Sequence, residues 1–91
     1  MDVRAVVYFS GTVQGVGFRF TTLSVSKRHA VTGTVENLPD GRVKLVAEGG
    51  RGEVLAFVED VESQTAGHVV EREIEFGPAN GEFAGFEILN F

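Results

Sequence analysis

The chain has no cysteine at all among its 91 residues. That excludes a disulfide framework, a thiolate nucleophile and a zinc–thiolate site, and it suits a reducing compartment. Basic residues are also scarce: eight Lys and Arg stand against thirteen Asp and Glu, for a formal net charge of −5. A nucleic-acid binder works by neutralising phosphates with clustered cations, and here the cations are few and scattered. An anion handled by this protein would have to be held locally, which points to a small ligand. No apolar run approaches the ~20 residues that a membrane-spanning helix needs. The opening "MDVRAVVYF" has no basic segment ahead of its apolar part, so no export signal is visible and the cytoplasm is the expected location.

What is present is ordinary for a globular domain, with 43 % hydrophobic and 23 % charged residues. A chain of this length buries roughly two-thirds of its unfolded surface. One core is therefore available, and a single domain is expected over 1–91.

Strand and helix periods can be read along most of the chain. "VRAVVYFSGTV" (3–13) is β-branched and aromatic with no helical period, as in a strand buried on much of both faces. "FRFTTLSVSKRHA" (18–30) is a helix of mediocre propensity that Thr21 or Thr22 would cap. "VTGTVENL" (31–38) and "RVKLVAEG" (42–49) are strands of a hairpin turned by "PDG" (39–41), with Val43, Leu45 and Ala47 sharing one face. "RGEVLAFVEDVES" (51–63) places Val54, Phe57, Val58 and Val61 at the i, i+3, i+4, i+7 spacing of an amphipathic helix. "HVVEREIEF" (68–76) alternates Val70, Arg72, Ile74 and Phe76 against the acidic Glu71, Glu73 and Glu75. "GPANG" (77–81) is a turn, and "EFAGFEILNF" (82–91) a last strand. The order βαββαβ plus a short extra C-terminal strand predicts an α+β, ferredoxin-like sandwich. Its sheet would be antiparallel, with two helices on one face.

The segment "SGTVQGVGFRF" (10–20) joins the first strand to the first helix and holds Gly11, Gly15 and Gly17 just before Arg19. Two readings fit it. Helix N-termini present unpaired N–H groups and a favourable dipole for an anion, glycines let a loop turn its amides into one concavity, and an arginine offers a planar fork of donors to a phosphate. Alternatively, three glycines make a tight turn and Arg19 is a solvated surface residue. It is not a Walker loop, because no Gly-Lys-Ser/Thr follows. Nor is it the dinucleotide fingerprint, because the third glycine is missing.

Taken literally, "GTVQGVGFR" closely resembles the N-terminal signature of the acylphosphatase family, Gly-x-Val-Gln-Gly-Val-x-Phe-Arg. "GTVENLPDG" supplies the family's second signature through Gly33, Val35, Asn37, Asp40 and Gly41, in the right order and at the right separation. The resemblance covers essentially the whole chain. It implies hydrolysis of acyl phosphates to carboxylate and inorganic phosphate. It carries the phosphate-binding arginine onto Arg19 and the water-orienting asparagine onto Asn37. The loop of Gln14, Gly15, Val16, Gly17 and Phe18 becomes a backbone cradle, and Thr22 a supporting residue. The end of the first helix departs from the family: Ser26, His29 and Ala30 stand where members often have Ala-x-x-Leu-Gly.

Such chemistry suits these residues. Phosphoryl transfer asks mainly for positioning and for charge stabilisation on the equatorial oxygens. The leaving carboxylate has a conjugate acid with a pKa of roughly 4, so it needs no general acid. The water needs alignment, which an amide can give. The expectation is a metal-free, cofactor-free hydrolase, acting as a monomer on a small-molecule acyl phosphate, with phosphate as product and competitive inhibitor. His29 and His68 are isolated and are expected to be structural or surface residues. One alternative is a non-catalytic anion-binding regulatory domain of the same fold. Another, the RNA-binding version of that fold, expects exposed aromatics on the central strands with basic flanks, and "RVKLVAEG" offers none.

Overall fold

A computed structural model describes residues 2–89. The elements are β1 (Asp2–Gly11), α1 (Phe18–Ser26), β2 (Thr32–Asn37), β3 (Val43–Gly50), α2 (Arg51–Gln64), β4 (Val69–Pro78) and β5 (Phe86–Leu89). They form one five-stranded sheet in the order β4-β1-β3-β2-β5. The first four strands pair antiparallel, and β5 then adds to β2 in parallel, Gly33 opposite Phe86 and Val35 opposite Ile88. The sheet is thus mixed, where the sequence predicted an antiparallel one. The reason lies in the path of the chain: β4 and β5 occupy opposite edges, so residues 79–85 must cross between them.

The inner face of the sheet follows from the period of two. Ala5, Val7 and Phe9 of β1 and Val43, Leu45 and Ala47 of β3 are wholly buried with Val35 of β2. Against them α2 lays Val54, Phe57, Val58 and Val61, the stripe expected from its spacing, and α1 lays Phe18 and Val25. Burying an aliphatic or phenylalanine side chain stabilises by about 1.5–3 kcal/mol, so these two stripes hold both helices on that face.

Helix α1 is a turn shorter than its sequence pattern. Neither threonine caps it: its N-cap is Gly17, and the Thr22 hydroxyl donates back to the Phe18 carbonyl at 2.9 Å. Ser26 Oγ donates to Leu23 O at 2.6 Å. Hydroxyls bonded to preceding carbonyls weaken a helix interior. Beyond Ser26 the chain tightens into i→i−3 turns, Arg28 N to Val25 O and His29 N to Ser26 O. The tail is then clasped to α2: His29 Nδ1 lies 3.1 Å from Glu53 Oε1, and Nε2 3.0 Å from Asp60 Oδ2. His29, isolated along the sequence, is thus paired in the fold with two carboxylates of α2.

Two features of the sheet escaped the sequence pattern. Val70 does not join Ile74 and Phe76 inside; it is 84 % exposed on the edge strand β4. Glu48, on the central strand, is 4 % exposed and accepts the amides of Asn80 (3.2 Å) and Gly81 (3.0 Å). Arg4 approaches the same carboxylate at 3.7 Å and bonds Glu82 at 2.6 Å. A buried carboxylate is tolerable when its lone pairs are filled, and here it pins the crossing segment to the sheet. The last strand expected over 82–91 is seen as Phe86–Leu89; Asn90 and Phe91 lie outside the described residues.

Candidate active site

The segment 12–17 leaves the end of β1 and delivers the chain into α1. Gly15 and Gly17 sit at φ 76° and 77°, the left-handed region that other residues reach only with strain. No neighbouring atom lies within 4 Å of where a Cβ would stand at either, so the backbone angle alone demands glycine. The loop is fastened from within by Val13 and Phe18, 1 % and 2 % exposed, and the Phe18 ring packs on Phe9 with centroids 5.1 Å apart. Of the two phenylalanines flanking Arg19, then, Phe18 is the anchor, while Phe20 is exposed at the surface.

With Gly17 at the N-cap, the first turn of α1 carries no side-chain cap and no acidic residue. An N-terminus of this kind is electropositive and offers backbone donors. Arg19 is the second residue of that turn. Thr22, buried beneath it, ties its hydroxyl to the first residue of the helix.

From the other side comes β2, whose last residue is Asn37. A cavity of about 210 Å³ is lined by Val13, Gly15, Gly17, Phe18, Arg19, Phe20 and Asn37. The two side chains that the sequence singled out, from separate motifs, therefore face one space. Among the described residues, the Asn37 Oδ1 is the buried side-chain oxygen or nitrogen left without a hydrogen-bond partner. Such an orphan costs about 1–3 kcal/mol where it is left unfilled, and it belongs to the side chain of a residue that lines the cavity together with Arg19.

Gln14 and Val16 belong to the loop but do not line the cavity. Val16 is 40 % exposed. Gln14 turns its amide to the β2–β3 hairpin, where Nε2 donates to Leu38 O at 2.8 Å and to Arg42 O at 2.9 Å. Asp40 and Gly41 of the second motif also do turn work. Asp40 Oδ1 accepts Arg42 N at 3.1 Å and Oδ2 accepts Arg42 Nε at 2.8 Å. The backbone N–H of Arg42, followed by its guanidinium, holds the Asp40 carboxyl below its ordinary value. Arg42 also stacks over Tyr8, 4.5 Å from the ring centroid.

The acylphosphatase family model matches residues 5–88. The chain belongs to the acylphosphatase family. An acylphosphatase of Rubrobacter xylanophilus is 45 % identical over 86 residues, covering 93 % of this chain and 78 % of the relative. One from Arthrobacter sp. (strain FB24) is 40 % identical over 89 residues, covering 97 % and 82 %. The crystal structure of acylphosphatase from Bacillus subtilis superposes with a TM-score of 0.87 at 28 % identity, over 96 % of this chain and 98 % of that one. The protein is thus a hydrolase of the acylphosphatase type, and the ferredoxin-like sandwich expected from its element order is the family's fold.

Proposed function

We propose that the cavity between the 14–19 loop and the end of β2 binds the phosphoryl group of an acyl phosphate. Arg19 and the loop amides hold its equatorial oxygens, and Asn37 aligns the attacking water. The carrying observation is that Arg19 and Asn37, from separate motifs, line one cavity, Asn37 with a side-chain oxygen that has no hydrogen-bond partner among the described residues. An amide oxygen accepts one O–H of a water and leaves a lone pair of that water to point at phosphorus. As the new O–P bond forms, the bond from phosphorus to the carboxyl oxygen breaks, and carboxylate leaves with the electron pair. The proton from water passes to the phosphate product or to solvent.

Nothing in this scheme requires a strong base. The transition state needs charge stabilisation at fixed positions, which a guanidinium and helix-start amides supply without reorganising. Thr22 is the supporting residue, buried in α1 with its hydroxyl tied to the Phe18 carbonyl that opens the helix. Because the leaving group is already a good one, the reaction runs without a metal or other cofactor.

The same reading places the protein in the cytoplasm as a monomeric, single-domain enzyme of small-molecule acyl phosphates, with inorganic phosphate as product and competitive inhibitor. The lack of cysteine and the net charge of −5 are in keeping with it. Among the described residues no helix is long and apolar enough to cross a membrane. Phosphate release from benzoyl phosphate in excess EDTA tests the chemistry. Turnover unchanged by the chelator and inhibited competitively by phosphate is expected; turnover that collapses in EDTA would overturn the metal-free scheme.

A further inference from the structure

Gln14 enters the catalytic scheme only through its backbone, yet its side chain bridges the two halves of the site. The geometry points to Gln14 as a positioning residue that fixes Asn37, and hence its water, relative to the phosphate-holding loop. That role rests on the proposed function of Asn37.

A primary amide nitrogen carries two hydrogens, and here there are two acceptors for them: Leu38 O at 2.8 Å and Arg42 O at 2.9 Å. Those two carbonyls bracket the hairpin turn. The turn is already closed on itself by Leu38 N to Arg42 O at 2.8 Å and Gly41 N to Leu38 O at 3.1 Å. Leu38 directly follows Asn37. Gln14 directly precedes Gly15, which lines the cavity. A single side chain therefore joins the first residue of the cradle to the residue after the water ligand, by a link that is partly buried and so little weakened by solvent.

The neighbouring loop residues Val13, Gly15, Val16 and Gly17 have no side-chain donor with which to replace it. The sheet holds the Asn37 backbone, paired with Val43 and followed by the Leu38–Arg42 closure, but that pairing runs to β3 and makes no link to the 14–19 loop. Cutting the strut leaves phosphate bound by the same donors but frees the water ligand to drift. In-line attack is sensitive to such drift, and an error of about 1 Å costs on the order of 10²-fold.

The test is a double-mutant cycle on benzoyl phosphate hydrolysis, with phosphate as competitive inhibitor. Gln14→Met keeps the length and loses both donors; Gln14→Glu keeps the shape and sets a charge against the two carbonyls. Thermal unfolding confirms that each variant is folded at the assay temperature. For Gln14→Met, kcat should fall about 10- to 100-fold while the phosphate inhibition constant moves less than about threefold. In the Asn37→Ala background the same substitution should cost less than about threefold.

Turnover of folded Gln14→Met within about twofold of wild type overturns the proposal. So does a loss of full size in the Asn37→Ala background, which would mean that Gln14 acts independently of the water ligand. A loss confined to phosphate affinity also overturns it, since the link would then serve the cradle alone. If Gln14→Met does not fold, Gln14→Glu carries the same comparison. Failure of the underlying reading shows separately, as wild-type turnover in the Asn37→Ala single variant.

Discussion

Arg19, in the first turn of α1, and Asn37, at the end of β2, line one cavity of about 210 Å³. Cation and amide come from different motifs and different layers of the sandwich. Their proposed roles are also distinct, since one stabilises charge and the other aligns water. Those roles separate in experiment.

Arg19→Gln removes the charge and the planar fork from the first turn of α1. Losing a preorganised donor to developing charge costs about 3–4 kcal/mol, or 10²–10³-fold in turnover. The phosphate inhibition constant should rise in parallel, because the ground-state anion loses the same partner. Arg19→Lys keeps charge but not the two-pronged geometry, and should recover little. Steady-state kinetics with benzoyl phosphate checks both variants, and wild-type turnover in Arg19→Gln would remove Arg19 from the site.

Gly33 and Gly17 separate two reasons for glycine. At Gly33, φ is 153° and a Cβ would stand 1.8 Å from the Val46 carbonyl oxygen of the neighbouring strand. Gly33→Ala must push β2 off β3 and should destabilise by about 3 kcal/mol or more. At Gly17 the space is open and only the left-handed angle is strained, so Gly17→Ala should cost about 1 kcal/mol. Urea unfolding of the two variants measures the difference, and equal losses would contradict it.

The clasp between α1 and α2 makes a prediction about acid. The His29 hydrogen bond, aided by the charge of Arg28, holds the Asp60 carboxyl below its ordinary value of 3.8. A carboxyl depressed by folding contributes stability that is present above its unfolded value and is lost as pH falls through the folded one. Asp60→Asn should therefore be less stable than wild type at pH 7, with the gap narrowing below about pH 4. Urea midpoints at pH 7 and pH 3 check this; a gap of the same size at both would mean that Asp60 contributes nothing through its charge.

Much of this was legible in the sequence where a period or a motif carried it. The stripe of Val54, Phe57, Val58 and Val61, and the alternation of Val43, Leu45 and Ala47, report burial directly, because each side chain answers to one local repeat. Arg19 and Asn37 were legible as a pair through their two motifs. What was not legible depends on contacts between distant segments. The parallel addition of β5 depends on which of the two open edges, β4 or β2, the last strand joins once four strands have paired. Glu48 looks like one more solvent-facing acid until residues 79–85 are laid over it. Thr22 looks like a cap until Gly17 occupies that position. The Gln14 amide lies within a motif already read for its glycines, and no local pattern says that it reaches Leu38 and Arg42.

The division of labour between Asn37, holding water, and Arg19, holding phosphate, is tested most directly by Asn37→Ala. Turnover of benzoyl phosphate and the competitive inhibition constant of inorganic phosphate should be measured on the same preparation, in EDTA. The expected outcome is that kcat falls by about 10²-fold or more while the phosphate constant changes by less than about threefold. Wild-type turnover, or a loss of phosphate affinity matching the loss of rate, would contradict it.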